Sequence, residues 1–111
     1  MGIDFHTSPR PTHGVEVEAV LVGRETRALV NGADILLEEI DDDRADAAFP
    51  RAKNELMLCT VEAVTGISES VGEARADLAT TMARLGAAAE SRGWALACAG
   101  THPFSHWRDL E

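Results

Sequence analysis

Residues 70–93 constrain the fold more than any other stretch. Ser70-Val71-Gly72-Glu73 has the pattern of a capping box, with Ser70 as N-cap and Glu73 at the third helical position. Val71, Ala74, Leu78, Met82, Leu85 and Ala89 recur at three- and four-residue spacing and form one apolar stripe. Arg92 falls in the last turn, and Gly93 is placed for the left-handed stop. A helix with a single apolar stripe gains most of its stability by packing. The rest of the 111-residue chain must therefore supply a complementary apolar surface within one domain, 1–111.

Strands are the natural source of that surface. Gly14-Val15-Glu16-Val17-Glu18-Ala19-Val20-Leu21-Val22 is valine-rich and alternates, which predicts a strand. Gly23 to Arg27 reads as a turn and Ala28-Leu29-Val30 as a short return strand. Ala33 to Ile40 reads as a short helix with Asp34 near its positive end. Glu55 to Val64 and Trp94 to Ala99 read as further strands. Pro9, Pro11 and Gly14 predict an extended arm over 1–13, and the polar run 41–54 a mobile loop. The order strand, short helix, strand, long helix, strand predicts an open α+β or α/β sandwich with the long helix on one sheet face. Periodicity leaves the choice between parallel and antiparallel pairing open.

Charge restricts the partners. Nineteen acidic residues against ten Lys and Arg give a net charge of −9. A phosphate backbone is repelled by such a chain, which argues against nucleic acid and for a metal cation or cationic partner. No apolar run reaches the roughly 20 residues of a membrane span, and the N-terminus lacks the pattern of a secretory signal. Gly2 occupies a myristoylation position, but His6 stands where that motif needs Ser or Thr. A soluble cytoplasmic protein is expected. Cys59 and Cys98 lie in apolar runs and are expected to be reduced and buried.

Alternation places Glu16, Glu18, Val20 and Val22 on one face of the first strand and Val15, Val17, Ala19 and Leu21 on the core face. Glu16 and Glu18 then stand about 7 Å apart on the face away from the core. Paired carboxylates at that spacing suit a hard cation, Mg²⁺ or Mn²⁺; the plain alternative is a solvated strand face. Glu62 lies among Val61, Ala63 and Val64, where a charge marks an edge or a site. If its strand neighbours the first, the three carboxylates join in one cluster, which is costly without a cation. His102, held by Pro103 at a strand exit, is placed either for acid–base work or for bonding a turn backbone. His102 and His106 have the spacing of a helical metal pair, which Pro103 disfavours. No nucleophile elbow, Walker loop or dinucleotide fingerprint is present.

Several runs, taken in order, resemble a known family. Ser8-Pro9-Arg10-Pro11-Thr12 followed by Gly14-Val15-Glu16-Val17-Glu18 resembles the start of the second type of bacterial glutamate–cysteine ligase, the carboxylate–amine ligase group. So do Thr60-Val61-Glu62, Glu73-Ala74-Arg75-Ala76-Asp77-Leu78, and Gly100-Thr101-His102-Pro103-Phe104 with Trp107. The similarity covers nearly the whole chain and is strongest to actinobacterial members.

The resemblance implies about half of a glutamine synthetase-like antiparallel sheet, an α+β arrangement with one long and one short helix on one face. It implies ATP and Mg²⁺ (or Mn²⁺), with a carboxylate substrate phosphorylated and then attacked by an amine substrate. Glu16, Glu18 and Glu62 are then metal ligands, His102 is catalytic, and Arg10, Thr101 and Arg108 contact the nucleotide. Family members are several times longer and carry a later His-x-His strand and more basic residues. His13 stands where an apolar residue is usual. A partial sheet leaves edges exposed, and a homodimer is expected to cover them. Two other readings are a ligase-derived domain that binds or transforms a small molecule without ATP, and an interaction module that pairs through a sheet edge.

Overall fold

The computed structural model describes residues 2–41 and 51–111. Four strands form one antiparallel sheet in the order β2-β3-β1-β4: β1 Glu16–Gly23, β2 Ala52–Asn54, β3 Thr60–Val64 and β4 Trp94–Ala97. Two helices, α1 Ala33–Asp41 and α2 Val71–Ser91, accompany it. The α+β class and the antiparallel pairing expected from the resemblance are both present.

The helices share one sheet face. Ala19 and Leu21 of β1 and Val61 and Ala63 of β3 pack with Ala33 and Leu36 of α1 and with Leu85, Ala88 and Ala89 of α2. These are the core positions that alternation assigns on β1. Leu21, Leu36 and Leu85 are fully buried, each contributing about 1.5–3 kcal/mol of transfer free energy. Residues 2–12 carry no helix or strand, and His13 enters the fold by bridging Ser68.

The ends of α2 follow its sequence signals. The Ser70 Oγ accepts the Glu73 N–H at 3.2 Å, and the Glu73 carboxylate reaches back to the Glu69 N–H at 2.7 Å. Gly93 takes φ +70°, the left-handed stop. At the other extreme of the stripe, Val71 is exposed, contrary to expectation. It shares an open apolar groove with Val15, Val17, Ala74, Leu78 and Met82.

Beyond shifts of one or two residues at β1 and α1, four segments differ from the sequence reading. The predicted strand Glu55–Val64 begins only at Thr60, because the chain bends and turns over 56–59. The expected loop 41–54 ends in a strand, β2; its stretch 42–50 lies outside the described residues. The return strand at 28–30 reduces to a single bridge, Val22 to Leu29, because the turn before it spends Arg27 in the left-handed region at φ 59°. β4 stops at Ala97, whose partner is Val20, so Cys98 leaves the sheet and is exposed, whereas Cys59 is buried.

Candidate functional site

The face of the sheet away from the helices carries the charge. Antiparallel pairing puts Glu18 of β1 directly opposite Glu62 of β3, and Lys53 of β2 opposite Glu62 on its other side. One row thus reads Glu18, Glu62, Lys53 across three strands. Glu55, just past the end of β2, joins it: carboxylate oxygens of Glu18, Glu55 and Glu62 all lie within 4.8 Å of one another. Glu16 shares the face, with its Oε1 3.8 Å from the Lys53 ammonium.

Burial within this row is uneven. Glu62 is 3% exposed, yet among the described residues its Oε1 has no hydrogen-bond donor in line; its contact there is the charge of Lys53 Nζ at 3.0 Å. Glu18 and Glu55 are exposed. The Glu62 carboxylate, at hydrogen-bonding distance, raises the Lys53 pKa above the usual lysine value against a desolvation cost, and the charges of Glu16 and Glu55 add to the rise.

A pocket adjoins the row on the same face. Val20 and Thr60 form the next pair along from Glu18 and Glu62 on that face. They floor a cavity of about 430 Å³ walled by Cys59, Thr101, His102 and Trp107. His102 builds that wall. Its Nδ1 accepts the Ser105 N–H at 2.9 Å, and its Nε2 lies 2.8 Å from the Arg27 carbonyl oxygen. A carbonyl only accepts and an amide N–H only donates, so the ring is neutral with its proton on Nε2. Both nitrogens are engaged with backbone, and a proton transfer by His102 requires this turn to open. His106 instead caps a 3₁₀ turn, Trp107–Asp109, with its Nδ1 accepting the Arg108 N–H at 3.1 Å.

A carboxylate row on an antiparallel sheet, beside a pocket closed by a Gly-Thr-His-Pro-Phe turn, agrees with the family resemblance in the sequence. The family model described as Glutamate-cysteine ligase family 2 matches residues 12–111. The chain belongs to that family.

Its curated relatives in the glutamate–cysteine ligase family include "Putative glutamate--cysteine ligase 2" of Thermobifida fusca (strain YX), 49% identical over 111 residues, which are all of this chain and 28% of the relative. "Putative glutamate--cysteine ligase 2-1" of Mycolicibacterium smegmatis is 48% identical over 105 residues, 95% of this chain and 26% of the relative. "Putative glutamate--cysteine ligase 2-2" of Nocardia farcinica is 45% identical over 105 residues, 95% of this chain and 28% of the relative. The chain spans about a quarter of the length of the curated relatives it matches. No helix among the described residues is long and apolar enough to cross a membrane.

Within this family framework, the expected site residues fall into three groups. Glu18 and Glu62 converge, and Glu16 lies beside them through Lys53. Thr101 lines the pocket, and the Arg108 guanidinium sits 5.1 Å from the ring centroid of Trp107, another wall residue. Arg10 is held elsewhere, in an ion pair with Glu69 at the start of α2. Two residues enter the site that sequence reasoning did not select, Glu55 and Lys53. The signal for Glu55 was Asn54-Glu55 as a strand end instead of a strand start.

The donor set fits a divalent cation of the hard kind. Glu18, Glu55 and Glu62 all offer carboxylate oxygen, which suits Mg²⁺ or Mn²⁺. Mg²⁺ holds oxygens at about 2.1 Å, so two ligands of one ion stand at most about 4.2 Å apart. A small side-chain adjustment closes the observed 4.8 Å spread, and the Glu62 Oε1, which has no aligned donor among the described residues, faces only the Lys53 ammonium.

Proposed function

We propose that this chain forms the metal-holding wall of an ATP-dependent carboxylate–amine ligase of the glutamate–cysteine type. The observation that carries this reading is the convergence of Glu18, Glu55 and Glu62 on the open face of the sheet. Family membership supports it, and so does the pocket beside the row. Glu18, Glu55 and Glu62 hold Mg²⁺ (or Mn²⁺), with Glu16 tuning the field from one pair away. The cation supplies charge neutralisation for the phosphates of the nucleotide.

The rest of the reading concerns what the chain's own side chains do. Thr101 contacts the nucleotide from the pocket, Arg108 reaches it from beside the wall residue Trp107, and Arg10 does so once freed from Glu69. His102 sets the pocket wall and holds its neutral ring between Arg27 and Ser105. The carboxylate substrate would meet the nucleotide where row and pocket join, take its terminal phosphoryl group with release of ADP, and then lose phosphate as the amine nitrogen attacks the acyl carbon and gives up a proton. The open groove of Val15, Val17, Val71, Leu78 and Met82 belongs to a homodimer interface in this reading. Light scattering at micromolar concentration tests that part, and a monomer overturns it.

Calorimetric titration of Mg²⁺-ATP tests the proposal, with a Glu18→Gln, Glu62→Gln double variant as control. Magnesium-dependent binding that the double variant abolishes supports it. Absence of binding at millimolar nucleotide, or binding untouched by the variant, overturns it.

A further inference from the structure

We infer that Lys53 is the resident counter-ion of the acidic row, and that a divalent cation enters by displacing its ammonium group from Glu62. The inference rests on the metal-holding reading proposed above.

Register supplies the first reason. Lys53 stands opposite Glu62 on β2 just as Glu18 does on β1, so Glu62 is flanked by one like and one opposite charge. Burial supplies the second. The Glu62 side chain is 4% exposed, and among the described residues its Oε1 has no aligned donor, only the ammonium at 3.0 Å. A carboxylate taken out of water needs a charge partner, and among the described residues Lys53 is the one it has. The same ammonium lies 3.8 Å from Glu16, so it answers two carboxylates at once.

The position that neutralises Glu62 is also the position a metal needs. A dication bound to the oxygens of Glu18, Glu55 and Glu62 would have the Lys53 ammonium a few ångströms away, and the two like charges repel. Lys53 is built to leave. Its side chain is 45% exposed, it sits on a three-residue edge strand, and its stem is four carbons long. Its departure costs little once the dication replaces it, because Glu62 then keeps a charge partner. Lys53 thus tunes the metal affinity without being a ligand and keeps the row folded in the absence of metal.

Mn²⁺ titration of the full chain reads this directly. The proteins are the wild type, Lys53→Met, Lys53→Gln and Lys53→Arg, with thermal unfolding of each recorded with and without Mg²⁺. Lys53→Met and Lys53→Gln should bind Mn²⁺ about tenfold more tightly than the wild type, since a competing positive charge is gone. Lys53→Arg keeps the charge and should bind like the wild type. Without metal, the two neutral variants should unfold at lower temperature, and Mg²⁺ should raise their midpoints more than it raises that of the wild type. A merely structural lysine would lower stability without tightening the metal. Equal or weaker Mn²⁺ binding by both neutral variants, with the wild type binding, overturns the inference alone. Absence of Mn²⁺ binding in every protein overturns the metal-holding reading and this inference with it.

Discussion

Glu18 and Glu62 face each other across the β1–β3 ladder, one exposed and one buried, with no residue between them. Like charges directly opposite on a sheet destabilise it. A pair held this way in an otherwise alternating strand is a cost that a cation offsets. Glu18→Gln should therefore stabilise the metal-free chain by about 0.2–1 kcal/mol at low salt while weakening Mn²⁺ binding at least tenfold. Urea unfolding and metal titration on one preparation check both halves. A loss of stability would mean that Glu18 is held by something other than its relation to Glu62.

Lys53 gives the row a pH signature. The Glu62 contact raises its folded pKa above the unfolded value, with the charges of Glu16 and Glu55 assisting against desolvation. A group raised on folding contributes stability that is fully present below its unfolded pKa, about 10.4. That contribution falls as pH rises through the higher folded value. The wild type should lose stability in that alkaline window by more than Lys53→Met does. Denaturant midpoints at about pH 8 and about pH 11 make the comparison.

Leu85 is fully buried where α2 meets the sheet. Leu85→Ala should destabilise the chain by about 2–5 kcal/mol, the transfer term plus the cavity left behind. Thermal unfolding reads it. Because Leu85 lies on the helix side of the sheet, a variant that remains folded should retain its metal affinity.

His102 ties the turn over 100–105 to the loop at Arg27 through both ring nitrogens. His102→Ala removes those bonds, and because they lie at an exposed to half-buried place where water reaches the freed groups, the cost should be about 0.5–1.5 kcal/mol. Amide exchange should quicken at Ser105 and at Leu29, whose N–H donates to the Ser105 hydroxyl at 3.2 Å. Mn²⁺ affinity should stay at the wild-type level, since the ring does not touch the carboxylate row.

The particular residues show why the fold was more legible than the site. Alternation over 15–18, carried on at period two to Ala19 and Leu21, identifies the core face of β1. The same alternation carries Glu16 and Glu18 to the open face, and Glu62 follows because residues paired across a ladder share a face. Glu55 was hidden by that rule. Read as one strand, 55–64 puts Glu55 and Glu62 on opposite faces, since they stand seven positions apart, an odd number. The bend at 56–59 breaks the alternation and returns Glu55 to the site. Lys53 was hidden because a three-residue edge strand leaves almost no periodic signal. Pairing between elements distant in the sequence decides both, and local pattern does not encode it.

The most direct test of the central claim is the electron paramagnetic resonance of Mn²⁺ added to the chain, compared with Glu62→Gln. Free Mn²⁺ gives a sharp solution signal that is lost on binding. The account predicts loss of that signal with the wild type and its return with Glu62→Gln. An unchanged free signal with the wild type, or equal loss with both proteins, would contradict it.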